Sequence, residues 1–122
     1  MRAELRTLGS PDVDFDSFAP DPGAAFAILV ELGVGPSGEP GEESFNVVVA
    51  SDSWVVEQTR QSDSPLELRH HIFVKEWNTR VLRQYLTRLI ADQEGSDWLE
   101  LATRISRFAQ WEFEDYRPLS NP

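Results

Sequence analysis

The spacing of apolar residues changes partway along the chain, from alternate positions in the first half to positions three and four apart in the second. Ala3, Leu5 and Thr7 alternate with Arg2, Glu4 and Arg6, which predicts a short strand with one charged face. Phe26, Ile28, Val30, Leu32 and Val34 keep that period with the small residues Ala25, Ala27 and Gly33 among them, so a second strand should bury mainly one face. A third strand is expected over residues 44–50. A fourth is expected over residues 66–75, where Leu66, Leu68, His70, Ile72 and Val74 share a side. Two loops, residues 9–23 and 35–43, are too rich in Pro, Gly and acids for regular structure. Ser51 or Asp52 can cap a short helix to about residue 59, because their side-chain oxygens accept from unpaired N-terminal amides.

Helical spacing takes over after Asn78, itself a suitable N-cap. Val81, Leu82, Tyr85, Leu86, Leu89 and Ile90 recur as adjacent pairs four apart. Gly95 breaks that helix and Ser96 or Asp97 starts another, with Trp98, Leu101, Ala102, Ile105, Phe108 and Ala109 as its stripe. Glu100 and Arg104 form an i,i+4 pair worth a few tenths of a kcal/mol. The tail alternates aromatics with acids, so Trp111, Phe113 and Tyr116 should pack against the helices while Glu112, Glu114 and Asp115 stay outside. The expected fold is α+β: a mostly antiparallel four-stranded sheet with one short and two longer helices packed on one face.

At 122 residues the chain suits one domain spanning residues 1–122, long enough to bury a core without staples. It has no Cys, so neither a disulfide nor a thiolate metal site is available. Residues 1–8 lack the apolar core of a secretory signal, and the apolar stretch 24–30 ends at Glu31, too short to cross a bilayer. A cytoplasmic protein without membrane contact is expected. Charge is divided unevenly. Residues 1–68 hold 13 Asp and Glu against 3 Arg, net −10, whereas residues 69–122 hold 8 acids and 8 bases, net zero. Such a chain repels nucleic acid, whose phosphates require Lys and Arg, and favours a cation or a basic protein as partner.

Motifs for chemistry fail on context. Gly33, Gly35 and Gly38 spell G-x-G-x-x-G, but the turn leads into Glu39, Glu42, Glu43 and a strand, not into a helix whose amides could hold a pyrophosphate. Asp12, Asp14 and Asp16 begin like a calcium loop, yet Ser17 and Gly23 occupy the places that need Gly and a bidentate Glu. His70 and His71 are the only histidines, and neighbours on a strand face opposite ways, so they cannot share a metal. His70 should face the core with a hydrogen-bond partner. No nucleophile elbow, H-E-x-x-H or P-loop is present, and the chain reads as a non-enzyme without cofactor, metal or catalytic residues.

Three stretches nevertheless carry a resemblance: Leu5-x-x-Leu8-x-Ser10-Pro11-Asp12, Gly35-Pro36-x-Gly38-Glu39-x-Gly41-Glu42-x-Ser44-Phe45, and Arg107-Phe108-x-x-Trp111-Glu112-Phe113-Glu114-Asp115-Tyr116. Together they resemble the immunity protein 8 family of bacterial polymorphic toxin systems, small α+β proteins that neutralise a cognate toxin. The resemblance implies binding and brings no catalytic residues. It agrees with the charge: a toxin that attacks nucleic acid is basic where it holds substrate, and steering between opposite fields can raise association to about 10⁸ M⁻¹s⁻¹. The expected interface comprises Asp12, Asp14, Asp16, Glu39, Glu42, Glu43, Glu112, Glu114 and Asp115, with Phe15, Phe18 or Trp54 as aromatic anchors. An acidic decoy that mimics nucleic acid, or an adaptor domain without a dedicated toxin, is the alternative reading.

Overall fold

The computed structural model describes residues 1–114. Its elements are β1 (Ala3–Gly9), β2 (Ala27–Pro36), β3 (Glu43–Ser51), α1 (Asp52–Arg60), β4 (His71–Val74), α2 (Thr79–Ala91), α3 (Trp98–Ile105) and β5 (Gln110–Trp111). The sheet runs β1-β2-β3-β4, antiparallel except for the β3–β4 pair. β2 covers one edge of β3, while β4 and β5 share the other: β5 pairs with Phe45 and Asn46, β4 with residues 48–51. The α+β class and the mostly antiparallel sheet are as expected. β5 is a fifth strand that the aromatic tail did not announce.

Period-two spacing decides which face is buried. Val30, Leu32 and Val34 on β2 and Phe45, Val47 and Val49 on β3 point inward, and the register sets Leu32 beside Phe45 and Val30 beside Val47. β1 joins this face through a bulge at Arg6: Leu5 faces Val34, Thr7 faces Gly33, and the shift brings Leu8 beside Leu32. α2 lays Leu82, Leu86 and Ile90 on the same core, and α3 adds Leu101, Ala102 and Ile105. Each buried Leu, Ile, Val or Phe contributes about 1.5–3 kcal/mol. Phe45, fully buried and touched by Trp98 and Trp111, is the side chain whose truncation to Ala would break the core most directly, at roughly 3–5 kcal/mol.

The caps are the predicted ones. Ser51, Asn78 and Asp97 accept from the amides of Trp54, Val81 and Glu100. α3 stops at Ile105, so it is shorter than α1, and Phe108 lies in the turn leading to β5. α1 contributes no buried residue; its Trp54 stacks on His71, on the side of β4 opposite Ile72 and Val74.

The fourth strand is shorter than expected. His70 has φ 60°, a left-handed conformation that interrupts an extended run, so residues 66–70 form a loop and Leu66 and Leu68 stay out of the core. His70 Nε2 donates to the Ser106 carbonyl at 2.8 Å, the expected partnered histidine in an irregular segment. Arg69 pairs with Glu114 beside it.

Candidate functional site

With α2 and α3 on one face, the other face of the sheet is left to be read as rows of side chains. Gly33 lies beside Ser44; Glu31, Asn46 and Gln110 form the next row; then come Leu29, Val48 and His71, and last Ala27, Ala50 and Phe73. The first rows are polar and acidic. Thr7, Ser10, Glu31, Gly33, Glu42, Glu43, Ser44 and Glu112 line an open cleft of about 590 Å³ there. Four carboxylates from three separate parts of the chain line this cleft, with Glu43, opposite core-facing Val34 in the register, entering it from the helix-covered side.

Neutral donors hold three of the four. The Thr7 hydroxyl donates to Glu42 at 3.0 Å, the Trp111 indole N–H to Glu43 at 2.6 Å, and the Ser44 amide to Glu112 at 2.8 Å. Glu112 is anchored again through its own amide, which donates to the Ser44 carbonyl at 3.0 Å. Arginines go elsewhere, to Glu4, Asp16, Glu94, Glu100 and Glu114. Among the described residues no ion pair neutralises Glu31, Glu42, Glu43 or Glu112. The cleft is thus positioned by hydrogen bonds that fix the carboxylates and leave their charge uncancelled.

Gly33 and Gly35 make this arrangement possible. A Cβ at Gly33 would collide with Thr7 Oγ1 and Glu42 Oε2, and one at Gly35 with the Gly41 carbonyl oxygen and, at 2.7 Å, with Arg6 Cζ. The bare backbone admits Arg6, whose guanidinium donates to the carbonyls of Glu39 and Gly41 and pins the β2–β3 loop beside the cleft. The glycine spacing that spells a dinucleotide motif serves side-chain passage across a sheet.

The other expected acids divide. Asp12 accepts from the Leu29 amide at 3.2 Å, beyond the end of β1's pairing with β2. Asp14 accepts from the Asp16 amide at 3.2 Å, and Asp16 pairs with Arg83 on α2 at 2.5 Å. Asp16 thereby follows the loop onto the helical side. Glu39 is exposed at the tip of the β2–β3 loop, Glu114 is paired with Arg69, and Asp115 lies outside the described residues.

Phe15 requires a correction. It is 4% exposed, packed edge-on against Trp77 at 5.4 Å with the Arg83 guanidinium over its ring, and it belongs to the core rather than to a contact surface. Phe18 is half-buried against Phe26 and Trp77. Trp54 is half-buried and reaches the surface. Glu31 was missed because it sits inside an apolar run, where it read as the residue ending a hydrophobic stretch. Period two counted from Val30 puts its side chain on the outer face and would have found it.

No helix among the described residues is long and apolar enough to cross a membrane. The family described as Immunity protein 8 matches the chain over residues 3–116. No curated protein and no solved structure gives a match.

Proposed function

The chain belongs to the immunity protein 8 family, and from that premise we propose that it neutralises its cognate toxin by presenting the acidic cleft on the open face of the sheet to a basic region of that toxin. The observation that carries this reading is the set Glu31, Glu42, Glu43 and Glu112, gathered in one cleft with no ion pair among the described residues. Like charges held together repel one another, and a cationic partner relieves that repulsion while forming its own pairs. Because hydrogen bonds already fix three of the carboxylates, little side-chain entropy is lost on binding. Asp12 and Glu39 extend the surface. Trp54 supplies an aromatic contact, while Asp14 and Asp16 fall outside it.

A toxin that must be silenced inside its producer selects for fast capture, and a concentrated negative field provides speed more than affinity. The test is the combined variant Glu31→Gln, Glu42→Gln, Glu43→Gln and Glu112→Gln, which keeps one acceptor oxygen on each side chain and removes four charges. Against the cognate toxin domain, association should slow about tenfold or more at low salt, its salt dependence should flatten, and growth protection on co-expression should weaken. Unchanged association and salt dependence would overturn the proposal. Equal inhibition of a panel of unrelated basic nucleases would point to a decoy without a dedicated toxin.

A further inference from the structure

The two outer strands of the sheet are guarded differently. β1 carries Glu4 and Arg6, is bulged at Arg6, and is covered at its start by the Ala3 amide donating to the Gln93 carbonyl and by the bridge from Arg2 to Glu94, features that stop another strand from extending a sheet. β4 has no Asp, Glu, Lys, Arg or Pro and no bulge, and among the described residues no strand pairs with its outer side. Backbone groups of a parallel pair alternate in direction, and the Val48 amide donates to the His70 carbonyl, so the amides and carbonyls of His71 and Phe73 point away from β3. An apolar groove of about 280 Å³ runs beside them, between β4 and α2. Of the eight large apolar residues exposed among the described ones, Phe73, Val81 and Tyr85 line it together. Such clustering marks a contact surface, as scattered apolar residues do not.

We propose that this edge and groove bind a second copy of the chain, β4 pairing antiparallel with its counterpart across a two-fold axis at Ile72. The open backbone groups lie one residue on either side of Ile72, so a half turn there maps them onto one another: each His71 meets the other copy's Phe73 in a hydrogen-bonded pair, and the two Ile72 residues face each other between them. Each exposed Phe73 then lies beside a His71 already stacked on Trp54, and Val81 and Tyr85 of both copies close over the joined grooves. Charge singles out a copy as the occupant. Glu76 lines the groove at its Asn78 end, and Arg88 lies two turns along α2 from Val81 on the same side, beyond the other end. Neither has an ion pair among the described residues. The same half turn exchanges the two ends and brings each Glu76 towards the other copy's Arg88, while Lys75 lines a separate cavity with residues 20–24. The surface also belongs to residues 69–122, whose net charge is zero, so two chains of net −10 meet here without the repulsion that opposes contact through residues 1–68. The acidic cleft between β1 and β3 stays open in the pair, and the inference does not depend on it.

The experiment is sedimentation equilibrium of the full chain from about 1 to about 100 μM, where wild type should approach twice the mass of one chain. Val81→Arg and Tyr85→Glu, at exposed positions and shown folded by circular dichroism, should each weaken dimerisation about a hundredfold. Glu76→Arg and Arg88→Glu should each weaken it about tenfold, and the two together should restore it. In a chain without cysteine, Ile72→Cys should form a disulfide between copies on oxidation and Phe73→Cys should not, because facing residues of a non-hydrogen-bonded antiparallel pair stand about 4.5 Å apart at Cα. A wild-type monomer at the highest concentration would overturn the proposal, and weaker toxin binding by Val81→Arg in that case would assign the groove to the toxin. A dimer that survives both Val81→Arg and Tyr85→Glu would overturn it by placing the contact elsewhere. Disulfide formation by Phe73→Cys and not by Ile72→Cys would overturn the axis at Ile72.

Discussion

Trp111 donates its indole N–H to the carboxylate of Glu43 at 2.6 Å while its ring stacks on Phe45, 6.3 Å away and 13° from parallel. One side chain thus closes the sheet and fixes an acid of the cleft, which ties the fold to the face proposed for binding.

Trp111→Phe separates these roles. It keeps a ring over Phe45 and loses the hydrogen bond to a charged group, so urea unfolding should show a loss of about 1.5–2 kcal/mol. Trp111→Ala removes the ring as well and should cost roughly 3 kcal/mol. A Trp111→Phe variant as stable as wild type would show that the bond to Glu43 contributes nothing, and equal losses in the two variants would show that the ring over Phe45 contributes nothing beyond that bond.

The outer-face glycines should differ in their response to a methyl group. At Gly33 the obstacles are the ends of the Thr7 and Glu42 side chains, which can swing away. At Gly35 the obstacle is the Gly41 carbonyl, a backbone atom that moves only with its loop. Gly35→Ala should therefore destabilise by about 2–4 kcal/mol and Gly33→Ala by about 1 kcal/mol or less, read from thermal or urea unfolding. The reverse order would contradict the packing described for Arg6 and the β2–β3 loop.

Ser51 is fully buried, and its hydroxyl oxygen accepts from the amides of both Trp54 and Phe26 at 3.1 Å. Ser51→Ala strands two donors, one at the start of α1 and one just before β2. A loss of about 2–3 kcal/mol is expected in urea unfolding. Hydrogen exchange should speed first at the Trp54 and Phe26 amides, and unchanged exchange at both would refute the shared cap.

These contacts also show what the sequence could and could not reveal. α2 and α3 were legible because each carries its apolar stripe and its cap within one short segment, as Asn78 and Asp97 do. β5 was not, since two residues carry no period and its partner Phe45 is remote in sequence. The length of β4 depended on one backbone angle at His70, which the apolar pattern of residues 66–75 conceals. Phe15 among three aspartates looked exposed because composition describes a loop and not where the loop folds. Glu42, Glu43 and Glu112 were picked out individually, but their meeting with Glu31 depends on the β3–β5 pairing and on the register of β2.

Glu100 gives the clearest dependence on pH. The Ser96 hydroxyl donates to its carboxylate, Arg104 donates at 3.0 Å and the Ser96 amide at 3.2 Å, and together they lower its pKa from 4.5 to about 2. Asp97 meanwhile accepts from the Glu100 amide at 2.8 Å, so the two acids close the first turn of α3 from both sides. The folded carboxyl holds its proton more weakly than the unfolded one. Its stabilising contribution is therefore whole above about pH 4.5 and disappears as the pH falls towards about 2. Glu100→Gln should lower the melting temperature at pH 7 and approach the wild-type value near pH 2, because the wild-type carboxyl is then itself protonating. A difference between the two proteins that stays constant from pH 7 to pH 2 would show that the charge of Glu100 plays no part in holding α3. Because the side chain is partly open to solvent, salt should shrink the pH 7 difference by screening the Arg104 contribution, leaving the share from the two Ser96 donors.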